Sequence, residues 1–238
     1  MELKLMEKQK SSNILGNTTQ LPEKIAEYLA EKIIHLEIKP GERIFEIKIA
    51  RELGLSRSPV REALYILNKQ FLVEFVPRRG AVVAGFSVKF IEDLYNVLSA
   101  LYVLLAQKGI PYATEENFEQ IGSILKSMEE CADKADFEGY YDGMFQFTSA
   151  CMKIVNNPIL EKIILNLWPS KRRMEFATLY RRKDSLRENL KFFLRGATSY
   201  MEGRLDIVEK DIREYIEQEK NCAILLANEF ENKPPAEP

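Results

Sequence analysis

The segment GLSRSPVREAL, residues 54–64, carries side chains that are well suited to bind phosphate groups and base edges. Arg57 and Arg61 stand four positions apart, which places them on one face if the segment is helical. A guanidinium can bind guanine O6 and N7, or a phosphate, through two hydrogen bonds. Ser56 and Ser58, beside the free N–H groups of a helix start, can bind a backbone phosphate. The chemistry is that of a nucleic-acid contact, provided that the surrounding elements expose it.

The residues around this segment predict helix, turn, helix, turn and helix between Leu21 and Phe86. Pro40-Gly41 ends the first helix, and a short second helix begins at about Glu46. Gly54 follows that helix where the backbone needs a positive φ, which glycine adopts at little cost. Either serine of Ser56–Pro59 can cap the third helix, and the proline falls in its first turn. The second and third helices therefore form a helix-turn-helix, in which the third helix is the one that reads the major groove.

Val60, Leu64 and Leu67 are predicted to line the buried face of the third helix. The runs FLVEFV and AVVAGF then predict two strands that flank a basic hairpin tip, Pro77–Gly80. The alternative is that the arginines are solvated surface, with Arg61 near Glu62 or another acid. The agreement of helix order, capped start and basic tip favours DNA binding. The candidate DNA-binding residues are Ser56, Arg57, Ser58, Arg61, Tyr65, Arg78, Arg79 and Gly80.

Composition limits the other possibilities. The chain has 238 residues, a formal net charge of −2 and a pI near 5.8, which argues against a chain-wide nucleic-acid coat. The longest mostly apolar run, Val97 to Ala106, is too short to cross a bilayer. No secretory signal is visible, and three widely spaced cysteines are typical of reduced thiols. We therefore expect a cytoplasmic protein that makes no membrane contact.

The second part of the chain is predicted to be all-α. Helical periodicity continues almost throughout, and no strand pattern or fixed repeat is visible. The expected fold is mainly α, with a winged helix-turn-helix domain at 21–86 and an all-α bundle at 87–232 for effector binding and dimerisation. Residues 1–20 and 233–238 are predicted to be flexible tails. The predicted helices of the bundle are 87–107, 114–133, 136–156, 158–168, 170–182, 184–202 and 205–231.

The stretch PGERIFEIKIARELGLSRSPVREALYILNKQFLVEFVPRRGAVVAGFS resembles the DNA-binding signature of the GntR superfamily of bacterial transcription regulators. The helical remainder, with DLYNVLSALY and NNPIL, resembles the FadR-type (FCD) effector domain. The resemblance implies that Arg57 and Arg61 are recognition-helix arginines and Gly80 the wing-tip glycine. Phe71 and Gln70 stand where the family usually has glycine and glutamate, a difference expected to change the angle at which the chain enters the wing.

The resemblance also implies a divalent metal held by an aspartate and three histidines. The aspartate and first histidine align with Asp142 and Gln146, or with Met144 and Thr148 in a register shifted by two. The last histidine would fall at Tyr215. The chain has one histidine, His35, in the DNA-binding part. Because imidazole is the usual ligand for such metals, we expect no metal cofactor.

In the family's pocket, Leu98 and Tyr102 stand where an arginine and a glutamate are usual. We therefore expect a more apolar pocket and a carboxylate or acyl effector, unless the aromatic residues are ordinary core. A second basic cluster, residues 171–173 and 181–183, is either a rim that attracts an anion or a solvated face paired with Glu175 and Asp184. The candidate effector-pocket residues are Leu98, Tyr102, Asp142, Gln146, Tyr200 and Tyr215.

Together these features predict a homodimeric transcription regulator that binds a pseudo-palindromic operator on double-stranded DNA under the control of a small molecule. A DNA-binding dimer that has lost effector sensing is the main alternative. A protein-interaction module with an idle DNA-binding domain is a third possibility. An enzyme is not expected, because adjacent acids such as Glu129 and Glu130 do not face each other on a helix.

Overall fold

The computed structural model describes residues 20–231, which divide into two compact units. The first unit runs to Gly85 and includes Trp168–Arg173, and the second contains Phe86–Leu167 and continues from Met174. The sequence had not indicated that Trp168–Arg173 belongs with the first unit. Apart from Gln20, the predicted tails lie outside the described residues. Within residues 20–231, no helix combines the length and the apolar character that crossing a membrane requires.

The first unit has the elements of a winged helix-turn-helix, as predicted. Its helices and strands are α1 (Leu21–Ile34), α2 (Glu46–Leu53), α3 (Arg57–Lys69), β1 (Val73–Val76) and β2 (Gly80–Val83). The two strands pair antiparallel, from Val73 opposite Val83 to Val76 opposite Gly80. The segment before α2 joins the hairpin, because Ile44 N–H donates to the Ala81 carbonyl oxygen at 2.9 Å.

The apolar spacing of α1 and α3 explains how this unit packs. Ile25, Leu29 and Ile33 recur on one face of α1, and all three are fully buried. They pack against α3, whose Val60, Leu64 and Leu67 are also fully buried, as predicted. Gly54 caps α2 at a φ of 69°, which confirms the predicted left-handed position.

The hairpin and its entry contain three residues with positive φ. Arg78 (66°) and Gly80 (74°) form the turn at the tip. Phe71, just before β1, has a φ of 59°, a left-handed conformation that glycine adopts more easily than phenylalanine. The side-chain amide of Asn68 donates to the Val73 carbonyl oxygen at 2.8 Å and ties the end of α3 to the first strand.

The second unit is helical in all its described regular elements. Its helices are α4 (Val88–Gly109), α5 (Glu115–Asp133), α6 (Phe137–Val155), α7 (Pro158–Arg181, apart from Trp168–Arg173), α8 (Leu186–Met201) and α9 (Leu205–Glu231), with short 3-10 turns at Ile110–Tyr112 and Lys183–Ser185. Side-chain oxygens of Ser87, Thr114, Asp136 and Asn157 cap the first four of these helices. Helix α9 packs against α4 and α8, while α5 packs against α6 and α8.

The predicted break between helices 158–168 and 170–182 is wrong. Helix α7 is continuous from Pro158 to Arg181 and contains Pro169. Proline removes one backbone hydrogen bond and usually ends or kinks a helix. Here Ile164, Ser170 and Met174 on either side of Pro169 are buried, so packing holds the helix together across the missing bond.

Candidate functional site

The exposed side of α3 carries the predicted recognition residues. Arg57 and Arg61 expose 56% and 52% of their side chains, and Tyr65 lies one turn further along, 53% exposed. Ser56 is the N-cap residue, although its side chain makes no capping hydrogen bond. Ser58 lies inside the first turn, where its hydroxyl donates to Glu62 at 3.2 Å, so it does not cap the helix.

Glu46, the first residue of α2, binds both arginines. Its carboxylate accepts from Arg61 Nε at 3.2 Å and from Arg61 Nη2 at 3.1 Å. The same carboxylate accepts from Arg57 Nη2 at 3.1 Å. These hydrogen bonds, that from Arg61 above all, hold the pKa of Glu46 below its ordinary value. Arg61 therefore does pair with an acid, and that acid is Glu46, fifteen positions away in sequence, and not Glu62.

Exposed aromatic side chains extend this surface towards the hairpin. The ring centres of Tyr65 and Phe75 lie 4.8 Å apart, and this contact links α3 to β1. The guanidinium of Arg43 lies 4.6 Å from the centre of the Phe45 ring, which is 50% exposed. Sequence reasoning missed Arg43, Phe45 and Phe75, because a single aromatic or basic residue in a short turn or strand gives no periodic signal.

The eight predicted DNA-binding residues are all exposed and all belong to the first unit. Five of them lie at the start and along the outer side of α3, and the other three form the tip of the hairpin. Exposed guanidinium groups beside the N-terminus of a helix can bind phosphates, and those on the outer face of α3 can reach base edges. The arrangement has the chemistry of a double-stranded DNA surface.

In the second unit, the six predicted pocket residues do not all come together. Leu98 and Tyr215 are buried, and Tyr102 and Tyr200 are half-buried. Asp142 and Gln146 are exposed, because α6 turns them outwards while Tyr140, Tyr141, Met144 and Phe145 face the interior. The register shifted by two, with buried Met144 and half-buried Thr148, fits the interior better. Within the described part of the chain, no three His, Cys, Asp or Glu side chains could hold a metal ion together.

The interior of this unit contains a network of hydrogen-bonded polar side chains. The Tyr140 hydroxyl donates to Asn189 Oδ1 at 2.7 Å, and Asn189 Nδ2 donates to Glu219 Oε1 at 3.1 Å. Arg182 Nη2 donates to both oxygens of Glu219, at 3.0 and 2.8 Å. Tyr140, Asn189 and Glu219 are buried, whereas Arg182 keeps 26% of its side chain exposed. The network thus reaches solvent through Arg182.

A second buried acid lies among the same helices. The Tyr215 hydroxyl donates to Glu175 Oε1 at 3.0 Å. Burial, and then the charges of Glu175 and Glu219, raises the pKa of Tyr215 and of Tyr95 well above their ordinary value. The hydroxyl of Tyr95 is fully buried and has no hydrogen-bond partner in the described protein. We call the following residues the interior polar cluster: Tyr95, Tyr140, Glu175, Arg182, Asn189, Tyr215 and Glu219.

The second basic cluster does not form a free cationic rim. Arg172 binds Glu31 at 2.7 Å, and Arg181 binds Glu229. Arg173 is buried and donates to the Gly85 carbonyl oxygen at 3.1 Å, and burial lowers its pKa to about 10. Arg182 belongs to the interior polar cluster. Arg172, Arg173, Arg181 and Arg182 therefore each bind a partner within the chain.

Two family models match the chain in the order of its two units. The model described as "Bacterial regulatory proteins, gntR family" matches residues 21–83, and the FCD domain model matches residues 93–192. The two matches together span more than half of the chain. The chain belongs to the GntR family. The predicted GntR-type winged helix and FCD-type helical domain are thereby confirmed.

Other GntR-family proteins resemble this one in sequence. The transcriptional regulator YdhC of Bacillus subtilis is 33% identical over 114 residues, which are 48% of this chain and 49% of that protein. The gluconate operon transcriptional repressor of Bacillus subtilis is 31% identical over 153 residues, 60% of this chain and 63% of that protein. The chain therefore matches about half to two thirds of the length of these relatives, which are transcriptional regulators and not enzymes.

Solved GntR-type structures share the fold. A transcriptional regulator from Rhodococcus sp. RHA1 aligns with a TM-score of 0.69 and 21% identity, over 85% of this chain and 96% of that one. McbR of Escherichia coli also aligns with a TM-score of 0.69, at 19% identity, over 89% of this chain and 98% of that one. These low identities establish the common fold, and no more.

Proposed function

We propose that this GntR-family protein is a transcription regulator that binds a pseudo-palindromic operator as a homodimer. The observation that carries the proposal is the pair Arg57 and Arg61, exposed side by side on α3 and both bound by Glu46. A recognition helix places its N-terminal residues nearest the base edges of the major groove. Two such helices, related by a two-fold axis, would read half-sites about 34 Å apart or closer.

The hairpin supports the same function. Arg78 and Arg79 are exposed at its tip, where they would reach an adjacent phosphate or the minor groove. Because each phosphate contact releases counterions, affinity should fall steeply with salt, by roughly 0.9 log units per contact for each log unit of salt. The free thiols of Cys131, Cys151 and Cys222 agree with action on DNA in the reducing cytoplasm.

We also propose that a small molecule held in the helical unit controls operator affinity. The interior polar cluster supports this part of the proposal, because a buried ion pair often adds little to stability and buried titratable groups with shifted pKa values are candidates for functional sites. A ligand that binds one placement of the two DNA-binding units better than another would change the population of binding-competent dimers. A dimer without effector sensing remains the alternative.

The test begins with selection of a preferred duplex from a random pool. Affinity for that duplex and for a random duplex is then measured by fluorescence anisotropy at several salt concentrations. Arg57→Ala and Arg61→Ala should each weaken binding to the selected duplex by about 1–3 kcal/mol if the residue reads a base. Lys126→Ala, which removes an exposed charge in the second unit, is the matched control and should change neither affinity.

Three outcomes separate the candidate functions. Equal losses on selected and random DNA would make the arginines phosphate contacts. No salt-dependent binding to any duplex would contradict the proposal and favour a protein-interaction module. Binding that no small molecule changes would leave a constitutive DNA-binding dimer.

A further inference from the structure

Helix α4 exposes a stripe of apolar side chains. Val97 and Leu104 are 48% and 37% exposed, and Ala100 between them is exposed as well. These residues follow one another at spacings of three and four, with Asp93 four positions before the first and Lys108 four positions after the last. With about 3.6 residues per turn, the five positions lie within about 80° of one another around the helix. They form one continuous face, which we call the α4 stripe.

The opposite side of α4 belongs to the core of the second unit. Ile91, Leu98 and Leu105 are buried there, and α4 packs against α6 and α9. Beside this core, Gln107 Nε2 donates to Glu209 Oε1 of α9 at 2.7 Å. A surface helix usually carries polar residues on its outward face. An outward apolar stripe with spacings of three and four residues is instead typical of a face that packs against another helix.

The two ends of the α4 stripe carry opposite charges that match under a two-fold rotation. In an antiparallel pair of α4 helices centred just after Ala100, positions equally far from the centre lie opposite one another. Val97 then packs against Leu104 of the other copy, and Asp93 lies opposite Lys108 of the other copy. Each contact occurs twice, because a two-fold axis repeats every pair. A parallel pair would bring like charges together at both ends.

The charged ends of the stripe are accessible to a second copy. Asp93 exposes 57% of its side chain, and its Oδ1 binds Lys89 at 2.6 Å. Such an exposed ion pair between neighbouring turns contributes little to stability, so the carboxylate can accept another ammonium group beside the first. Lys108 is exposed in the last turn of α4. Asp93 and Lys108 can therefore pair across a dimer without breaking a buried interaction.

We propose that the α4 stripe joins two copies of this chain, whose α4 helices pack antiparallel about a two-fold axis near Ala100. The occupant is a second copy, because the stripe is complementary to itself in both its apolar and its charged positions. The small side chain of Ala100 at the centre lets the two helices approach closely. The proposal rests on the homodimer of the proposed function and names the residues that form its contact.

Substitutions within the stripe test the apolar part of the contact. Sedimentation of the full chain over nanomolar to micromolar concentrations measures the dissociation constant of the dimer. Ala100→Glu and Val97→Glu should each raise it at least about a hundredfold, because a charge is buried twice in each dimer. Both positions are exposed, so the single chain should remain folded by circular dichroism.

Ile159→Glu is the matched control for these variants. Ile159 is an apolar side chain of α7 that is 73% exposed, so the same type of substitution there should leave the dissociation constant unchanged. Loss of the dimer in the Ile159 variant, with the dimer intact in the Ala100 and Val97 variants, would place the contact on α7 and overturn the proposal.

An exchange of charges tests the antiparallel arrangement. At low salt, Asp93→Lys and Lys108→Glu should each raise the dissociation constant about tenfold, because like charges then face each other twice. The chain that carries both substitutions should recover the affinity of the unmodified chain, since the pair is restored in reverse order. Glu92→Lys makes the same charge change on the same helix outside the stripe and should have no effect. Single substitutions without effect, or losses that add in the double variant, would refute the antiparallel contact.

The same measurements separate this proposal from the proposed function. If the unmodified chain is a dimer that the stripe variants leave intact, the homodimer stands and the α4 contact is wrong. If the unmodified chain stays monomeric, even on its selected duplex, the homodimer fails and the α4 contact fails with it. A folded Ala100→Glu monomer that binds the selected duplex more weakly than the unmodified dimer would support both, because a monomer contacts only one half-site.

Discussion

Glu46 holds Arg61 side-on, with Oε1 3.2 Å from Nε and Oε2 3.1 Å from Nη2. The guanidinium is planar, so this contact fixes its orientation and leaves the edge that carries Nη1 facing away from the acid. Arg57 shares Oε2 of the same carboxylate. The first residue of one helix thereby sets the side-chain geometry of the next helix, which is the helix that would enter the groove.

We expect Glu46→Gln to lower sequence discrimination. The amide would hold the arginines less firmly and would remove a negative charge near the phosphates. Affinity for a random duplex should rise, and the ratio of selected to random affinity should fall about tenfold in anisotropy titrations. Glu62→Gln makes the same charge change on the same exposed surface without touching either arginine. An equal effect of the two substitutions would mean that only net charge matters.

The lowered pKa of Glu46 predicts how stability depends on pH. A carboxylate whose pKa is lower in the folded state stabilises the fold at pH values above its unfolded pKa, about 4.3. That contribution is lost as the pH falls through the folded pKa. The unmodified protein should therefore melt slightly above Glu46→Gln at pH 7, and the gap should close in acid below about pH 4. A gap that persists at low pH would point to a packing effect of the substitution.

Replacement of either of two glycines by alanine should change stability, but in opposite directions. An added Cβ meets no atom within 4 Å at either Gly54 or Gly196. Gly54 has a φ of 69°, so Gly54→Ala should destabilise the first unit by about 1 kcal/mol. Gly196 lies inside α8, so Gly196→Ala should stabilise the second unit by about 1 kcal/mol. Chemical denaturation followed by circular dichroism measures both changes, and shifts of the same sign would refute the backbone argument.

Arg182 and Glu219 should be strongly coupled in their contributions to the free energy of unfolding. Arg182→Met removes the guanidinium that binds both oxygens of the buried Glu219 carboxylate and should destabilise the second unit by about 3 kcal/mol. Glu219→Gln in the same chain removes that charge and should restore most of the loss. A double-mutant cycle of urea midpoints measures the coupling. If the losses of stability caused by Arg182→Met alone and by Glu219→Gln alone simply add in the double variant, Arg182 does not stabilise the charge of Glu219 in the interior.

The first unit could be predicted almost completely from the sequence, because each signal there is local. Gly54 ends a helix, Pro59 lies in the first turn of the next helix, and Pro77–Gly80 turns a hairpin, each through the conformational limits of its own residues. Pro169 shows where local reasoning fails. A proline predicts a break, but buried residues on both sides keep α7 intact, and burial by distant elements cannot be seen in a local pattern.

The same difference between local signals and contacts with distant elements decides which residues of the candidate sites could be predicted. Arg57 and Arg61 were found by their spacing within one helix, whereas Glu46 lies on another helix and gave no sequence signal as their partner. Glu175 and Glu219 look like ordinary acids of amphipathic helices, yet the fold buries them. Asp142 and Gln146 were chosen by resemblance to the family, and a shift of two positions along α6 exchanges these exposed residues for buried Met144 and half-buried Thr148. A helical register error of that size rotates a side chain by more than half a turn.

The backbone angle at Phe71 limits how this chain can evolve. With φ at 59°, the entry to the wing is a position where glycine would relieve strain, at the loss of the contacts of the ring. Phenylalanine codons differ from glycine codons at two bases, so a stepwise change passes through valine or through cysteine. A β-branched side chain such as valine is especially unfavourable at positive φ. The route through cysteine should therefore cost less stability than the route through valine.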